Sequence, residues 1–172
     1  MQMQLERRES PLGTVLIVTD ASGALRALDF VDYEARMHRL LRLHYSGYEL
    51  LERAAPLGVA HALDAYFSGE IDALAALGVA TGGTAFQQCV WGALRQIPPG
   101  GAISYGELAT RIGRVGASRA VGHANGSNPV AIVVPCHRVI GADGSLTGYG
   151  GGIERKRWLL DHEQRWLKAV ST

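Results

Sequence analysis

A chain of 172 residues with 47% hydrophobic side chains can bury the core of one domain or two small ones, and a formal net charge of +1 excludes the strongly basic and acidic classes. The amino terminus, Met1–Ser10, is charged rather than apolar, and no apolar run approaches the ~18 residues a membrane span needs, so neither export nor membrane insertion is expected. Two cysteines, Cys89 and Cys136, are too few for a disulfide framework and no Cys/His group has metal-ligand spacing, which points to a reducing cytoplasm and to no bound metal.

The small net charge hides an asymmetry. Met1–Ala80 carries seven Lys/Arg against eleven Asp/Glu, about −4, whereas Thr81–Thr172 carries ten against five, about +5. Between Thr84 and Ala142 the only acid is Glu107, facing Arg95, Arg111, Arg114, Arg119 and Arg138, a footprint compatible with a polyanion such as nucleic acid.

In chain order, Ser10–Gly13 reads as a turn, Val15–Thr19 as a strand, Asp20–Gly23 as a turn and Leu25–Phe30 as a second strand, together an antiparallel hairpin. Met37, Leu40, Leu41 and His44, then Val59, Leu63, Tyr66 and Phe67, recur at helical spacing and face a core. His38, His44 and His61 lack acidic or cysteine companions and read as structural. Ser68–Gly83, with glycines at both ends, is the join, and the boundary falls near Ala80. The chain is therefore expected to be mixed α/β, with a small amino-terminal α/β domain over residues 1–80 and a mainly helical carboxyl domain over residues 81–172.

The carboxyl part opens with a capping-box pattern, Thr84 to Gln87, before an apolar stripe of Phe86, Cys89, Val90, Ala93, Leu94 and Ile97, which makes Cys89 an inert core thiol. Pro98–Gly101 ends that helix. A second pattern of this kind, Ser104 to Glu107, opens a short helix through Leu108, Ala109 and Ile112, closed by Gly113. After the turn Arg114-Val115-Gly116, a helix from Ala117 to about Asn125 buries Ala117, Ala120, Val121 and Ala124 and turns Ser118, Arg119, Gly122 and His123 outward. Helix, glycine turn and helix form a helix-turn-helix pattern, one that many helical hairpins share. The second helix is made almost entirely of small residues around one long cation, Arg119, a composition suited to close approach in a narrow groove rather than to reading base edges with long polar side chains.

Asn128-Pro129 breaks that helix, and the β-branched run Val130–Val134 predicts a buried strand delivering Cys136. A cysteine reacts as its thiolate, and an ordinary thiol titrates near ~8.5, so a nucleophilic Cys136 needs a base to take its proton. His137 is the adjacent candidate; on a strand it would point to the opposite face, so the two could cooperate only across a bend at Pro135 or through a water. The alternative is a buried structural cysteine. Gly148-Tyr149-Gly150-Gly151-Gly152 lacks the spacing and lysine of a nucleotide-binding loop and suits a loop lying against a flat substrate. In the last helix, about Ile153–Leu167, His162 and Glu163 fall on the apolar stripe of Trp158, Leu159 and Trp166. A buried carboxylate needs a partner, and His137 placed between Cys136 and Glu163 would repeat the nucleophile, base and carboxylate logic of covalent catalysis. An acid at the helix edge reaching water is the competing reading of Glu163.

From about Thr84 to Leu167 the chain closely resembles the catalytic domain of the O(6)-alkylguanine-DNA alkyltransferases, also called methylated-DNA-protein-cysteine methyltransferases. The resemblance is carried by Ile103-Ser104-Tyr105, Ala117–Gly122, Asn128-Pro129, Val134–Val139, Tyr149 with its glycines, and Trp158-Leu159-Leu160 with His162-Glu163. It is more diffuse over the amino half. The resemblance implies a helix-turn-helix domain in which a short strand bears the active cysteine, Cys136, which takes the alkyl group of O6-alkylguanine permanently; alkylated thymine is a second candidate substrate. It gives His137 the role of base acting through water, Glu163 that of orienting it, Tyr105 that of donating to the departing guanine, and Asn128 that of bracing the turn. The base pocket would be lined by Tyr105, Val139, Tyr149, Gly150 and Gly151. Ser118, Arg119, Ala120, Gly122 and His123 would meet double-stranded DNA from the minor groove, with Arg119 entering the space that the flipped base leaves.

No organic cofactor follows, because the nucleophile belongs to the chain, and a cytoplasmic monomer is expected. Gly150 stands where some members carry serine, which implies a roomier pocket. Some relatives bind zinc through their amino domain; this chain has no cysteine there, and none is expected. Two rival functions are a module that marks alkylated DNA without repairing it, against which Cys136 argues, and a cysteine hydrolase using Cys136, His137 and Glu163, for which the helix-turn-helix would have no purpose.

Overall fold

The computed structural model describes residues 1–171 and divides into two compact units, Met1–Gly83 with Pro129–Val133, and Thr84–Asn128 with Val134–Thr172. Mixed α/β architecture is what the sequence patterns predict.

In the first unit, β1 (Gln2–Ser10), β2 (Gly13–Thr19), β3 (Leu25–Phe30) and β4 (Glu49–Glu52) form a sheet of order β3-β2-β1-β4, with α1 (Glu34–His44) and α2 (Leu57–Phe67). The hairpin expected from residues 15–30 is β2 and β3, antiparallel, with a bulge at Val18/Thr19. The charged amino terminus, however, is a strand, which the sequence reading did not anticipate. Its alternation explains how: Met3 and Leu5 are buried on either side of Gln4, and the charges beyond them are paired. Arg7 reaches Glu34 on α1 at 2.8 Å and Glu52 at 3.1 Å, while Arg8 reaches Asp64 on α2 at 2.5 Å. Adjacent residues of a strand point to opposite faces, so α1 covers one face of the sheet and α2 the other. This is why β2 is buried continuously from Val15 to Thr19 rather than in alternation. The α1 face packs Met3, Leu5, Leu16, Val18, Ala27, Met37 and Leu41 together. His38, expected to lack an acidic companion, has one in Glu34 a turn earlier on α1, 3.7 Å from its Nε2, and its Nδ1 lies 2.8 Å from the Tyr48 hydroxyl. Gly82 is required by close approach, since a Cβ there would lie 2.6 Å from that of His44.

The strand expected over Val130–Val134 is not formed. Pro129 and Ala131 exchange hydrogen bonds with Leu28 at 3.0 Å, giving one parallel bridge at Val130, after which Ile132 turns at φ 70 and ends any ladder. The run is buried as its apolar character demands, but a β-branched residue at positive φ is strained by about 1–3 kcal/mol, and the chain bends here instead of extending.

In the second unit, α3 (Ala85–Leu94), β5 (Ile103–Ser104), α4 (Tyr105–Arg111), α5 (Ser118–Gly126), a one-turn 3-10 helix (Cys136–Arg138), β6 (Val139–Ile140) and α6 (Ile153–Ser171) follow in order. The capping box at Thr84 and Gln87 is complete in both directions. Ser104 caps α4 by accepting from the Glu107 amide at 3.1 Å. Gly113, at φ 74, closes α4, and the Arg114 amide reaches back to Ala109 O at 2.8 Å, a left-handed helix termination of the kind only glycine adopts without strain.

Two burial expectations are corrected. Cys89 is exposed, because the inner face of α3 is rotated toward Trp91, whose Nε1 donates to Ala124 O at 2.9 Å. Ala120 is exposed too, since the buried residues of α5 are Val121, Ala124 and Asn125 and Ala120 lies about a quarter turn away. The short strand expected to bear Cys136 is also replaced: Cys136 begins the 3-10 turn, and the strand that follows it, β6, pairs in parallel with β5 through Ile103 and Val139. Replacing Thr84 by Ala removes one half of a capping box, and an equilibrium urea titration is expected to show a loss of about 1 kcal/mol with an unchanged m-value.

Candidate active site

The 3-10 turn solves a geometric problem that a strand would have left. Neighbours on a tight helical turn do not oppose one another, so Cys136 and His137 both face the interior of the unit, at 8% and 0% exposure. Two amide side chains hold the entry to this turn. Asn128 Nδ2 donates to Val134 O at 2.8 Å, and Asn125 Nδ2, on α5, donates to Cys136 O at 3.3 Å. Asn128 therefore sits where a brace is needed, and Asn125, which the sequence reading did not single out, ties α5 to the cysteine's own peptide.

His137 Nε2 lies 2.9 Å from Glu163 Oε2, on α6, and both side chains have no exposure. His137 Nδ1 has no hydrogen-bond partner among the described residues. Burial lowers the His137 pKa; Glu163 opposes that shift, and the nearby charges of Arg138 and Lys156 add to it, so the imidazole is neutral at neutral pH. Burial alone would raise the Glu163 carboxyl, but His137 and Arg138 outweigh it and hold the group well below the ordinary carboxylate range.

Two cations were missed as members of the site. Arg138 spans Glu163, with Nε to Oε1 and Nη2 to Oε2 both at 2.9 Å. Lys156, fully buried, donates from Nζ to Val139 O at 2.6 Å, Thr147 O at 2.9 Å and Gly148 O at 3.5 Å, so its three hydrogens are all matched to carbonyls. The signal for Lys156 was present in the sequence, since residues 156, 159 and 163 share one face of a helix and Leu159 and Glu163 were already assigned to the buried stripe. The anchor it provides holds the 147–148 loop against β6, at the start of the segment carrying Tyr149 and Gly150.

Beside this cluster a cavity of about 550 Å³ is lined from α4 by Tyr105, from α5 by Ser118, Arg119, Gly122, Asn125 and Gly126, and from the loop by Thr147, Gly148, Tyr149 and Gly150. The Tyr105 hydroxyl is 2.9 Å from Thr147 Oγ1, closing one side. A Cβ on Gly122 would sit 3.5 Å from the Tyr105 ring, so only a small residue lets that ring lie along α5. Of the residues assigned to the base pocket, Tyr105, Tyr149 and Gly150 line the cavity. Val139 and Gly151 are buried outside its lining. Of those assigned to DNA, Ser118, Arg119 and Gly122 reach it, whereas Ala120 and His123 are exposed elsewhere on α5. No group of three His, Cys, Asp or Glu among the described residues could hold a metal ion, and no helix among them is long and apolar enough to cross a membrane.

Family models match both units, the 6-O-methylguanine DNA methyltransferase ribonuclease-like domain over residues 6–80 and its DNA binding domain over residues 85–165. The methylated-DNA--protein-cysteine methyltransferase of Salmonella typhimurium is 51% identical over 160 residues, 92% of this chain and 94% of that one. The crystal structure of Mycobacterium tuberculosis OGT in complex with DNA superposes with a TM-score of 0.79 at 43% identity, covering 95% of this chain and 94% of that one. The O6-methylguanine-DNA methyltransferase of the archaeon Pyrococcus kodakaraensis gives a TM-score of 0.67 at 26% identity, with 94% and 98% covered. On matches that span both units and nearly the whole length of these relatives, the chain belongs to the 6-O-methylguanine DNA methyltransferase family.

Proposed function

We propose that this chain repairs O6-alkylguanine in double-stranded DNA by taking the alkyl group onto Cys136, once per molecule. The observation that carries the mechanism is the buried turn holding Cys136 and His137, with His137 Nε2 2.9 Å from Glu163 and its Nδ1 without a hydrogen-bond partner among the described residues. Glu163 holds His137 with Nε2–H pointing at the carboxylate, and Nδ1 takes the thiol proton through a water. The Cys136 sulfur then forms a bond to the alkyl carbon as the bond from that carbon to guanine O6 breaks. The bonding pair leaves with the guanine, and Tyr105, at the cavity wall, donates a hydrogen bond to the base as its charge develops. The product is a thioether. Such a carbon has neither a carbonyl nor a good leaving group for water to exploit, so the transfer does not turn over.

The base must leave the stack to enter a cavity of this kind, at a cost of a few kcal/mol. Arg119, exposed at the cavity rim on a helix of small residues, fills the vacated space from the minor groove, while Ser118 and Gly122 let α5 lie close to the backbone. Binding by one monomer is largely electrostatic and weakly dependent on sequence, as a repair function requires. Two free cysteines and no disulfide suit action in a reducing cytoplasm.

Intact-protein mass after incubation with duplex DNA bearing one O6-methylguanine is expected to show one methyl per molecule, mapped to Cys136. Cys136→Ser is expected to bind the duplex but gain no methyl; unmodified wild-type protein on bound DNA would transfer the function to damage marking. Arg119→Ala is expected to slow transfer roughly tenfold or more and to reduce the salt slope of binding by about one, read from rates and affinities across ionic strengths. Gly150 leaves the cavity without a side chain where bulk would otherwise stand, so a benzyl adduct is expected to transfer at a rate comparable with methyl, and a negligible benzyl rate would contradict the roomy pocket.

A further inference from the structure

Glu163 receives more than the mechanism asks of it. Orienting one histidine needs one oxygen, yet Arg138 lies against both, with Nε at 2.9 Å from Oε1 and Nη2 at 2.9 Å from Oε2. Its remaining nitrogen, Nη1, donates to Ile97 O at 2.6 Å, just beyond α3, so the guanidinium is fixed from a second segment. We infer that Arg138 is the positioning residue that sets the tautomer of His137, by keeping both Glu163 oxygens as acceptors and so leaving Nδ1 of the imidazole as the free base.

A guanidinium carries five N–H donors and no acceptor, so any oxygen it touches must accept. With Oε1 and Oε2 both committed in this way, a proton on Glu163 would face an N–H, and the carboxyl stays ionised. His137 Nε2, 2.9 Å from Oε2, then has to be the donor. A neutral imidazole carries one hydrogen, so Nδ1 keeps its lone pair, and Nδ1 is the atom with no partner among the described residues. The pair of cations also limits how strongly Glu163 can draw a second proton onto the ring. From α6, Glu163 favours the imidazolium and Lys156 opposes it; from the turn itself, Arg138 opposes it and Cys136 is the group to be deprotonated; α3 brings no titratable side chain except the exposed Cys89. A bidentate fork is needed for this, which distinguishes Arg from Lys at position 138.

The inference rests on the alkyl-transfer reading, and the test separates the two. Two-bond proton–nitrogen NMR of His137 in the free protein reports the tautomer without DNA, and single-turnover methyl transfer followed by mass reports the rate against pH. In wild type, His137 is expected as the neutral Nε2–H form at pH 8 and at pH 7, since burial holds its pKa below the ordinary imidazole value. In Arg138→Met, Glu163 gives its charge to His137 alone, so the acid limb of the rate profile is expected to move up by about one pH unit, about tenfold slower transfer at pH values below it. Arg138→Lys, which keeps the charge and loses the fork, is expected to fall between the two. A folded Arg138→Met with the wild-type tautomer and the wild-type acid limb would overturn the inference, as would an Nδ1–H form in wild type. If Arg138→Met does not fold, the wild-type tautomer and the Arg138→Lys profile decide. A wild-type protein that transfers no methyl would defeat the alkyl-transfer reading, while the NMR result would still judge Arg138.

Discussion

Glu163 has no solvent exposure, and a carboxylate so placed costs several kcal/mol unless its oxygens meet donors in good geometry. Around this one requirement the second unit is arranged. The 3-10 turn presents His137 and Arg138 together, α6 brings Glu163 to them, and Ile97 O takes the last donor of the guanidinium. The same contacts fix where Cys136 stands, because it is the residue that begins the turn. Stability and chemistry are thus not separable here. Removing one partner would leave an uncompensated buried charge as well as an imidazole without its anchor.

A second buried charge shapes the substrate side. The Lys156 ammonium meets three carbonyls, two of them on the 147–148 loop, and so holds against β6 a segment that its glycines would otherwise leave free. Tyr105 reaches the same loop through Thr147. The cavity is therefore bounded on one side by a helix of small residues and on the other by a loop that Lys156 and Tyr105 hold together. Pre-organisation of this kind reduces the ordering cost of filling the cavity with a ligand.

The first unit shows how charged sequence becomes core structure. Strand β1 carries Glu6, Arg7, Arg8 and Glu9 and still pairs with two neighbours, because its arginines find Glu34 and Asp64 on the helices that cover the sheet and Glu52 on the adjacent β4. Exposed pairs of this sort contribute little each, on the order of 1 kcal/mol or less, so the strand is held by Met3, Leu5 and its ladder rather than by its charges. Its polarity hid it from a reading based on apolar alternation.

The residues alone determined the helices with strong periodicity and explicit caps and the hairpin between two turns, and they offered His137 as the partner of Glu163, since a buried carboxylate on an apolar stripe demands one; that the two meet was decided by the fold. They determined the helix-turn-helix through Ser104, Gly113 and the small residues after Gly116, because caps and left-handed glycines act locally. What only the tertiary structure decided were the features set by distant neighbours. The β-branched run at Val130–Val134 had the composition of a strand, but Leu28 offered it a single bridge and Ile132 turned away. Cys89 and Ala120 faced outward once Trp91 and Asn125 claimed the inner faces of their helices. Lys156 shared a helix face with Leu159 and Glu163, which marked it as buried, but its partners and those of Arg138 were decided by the fold, because the meaning of a cation inside a protein lies in the oxygens around it, and those oxygens come from residues up to 41 positions away in the chain.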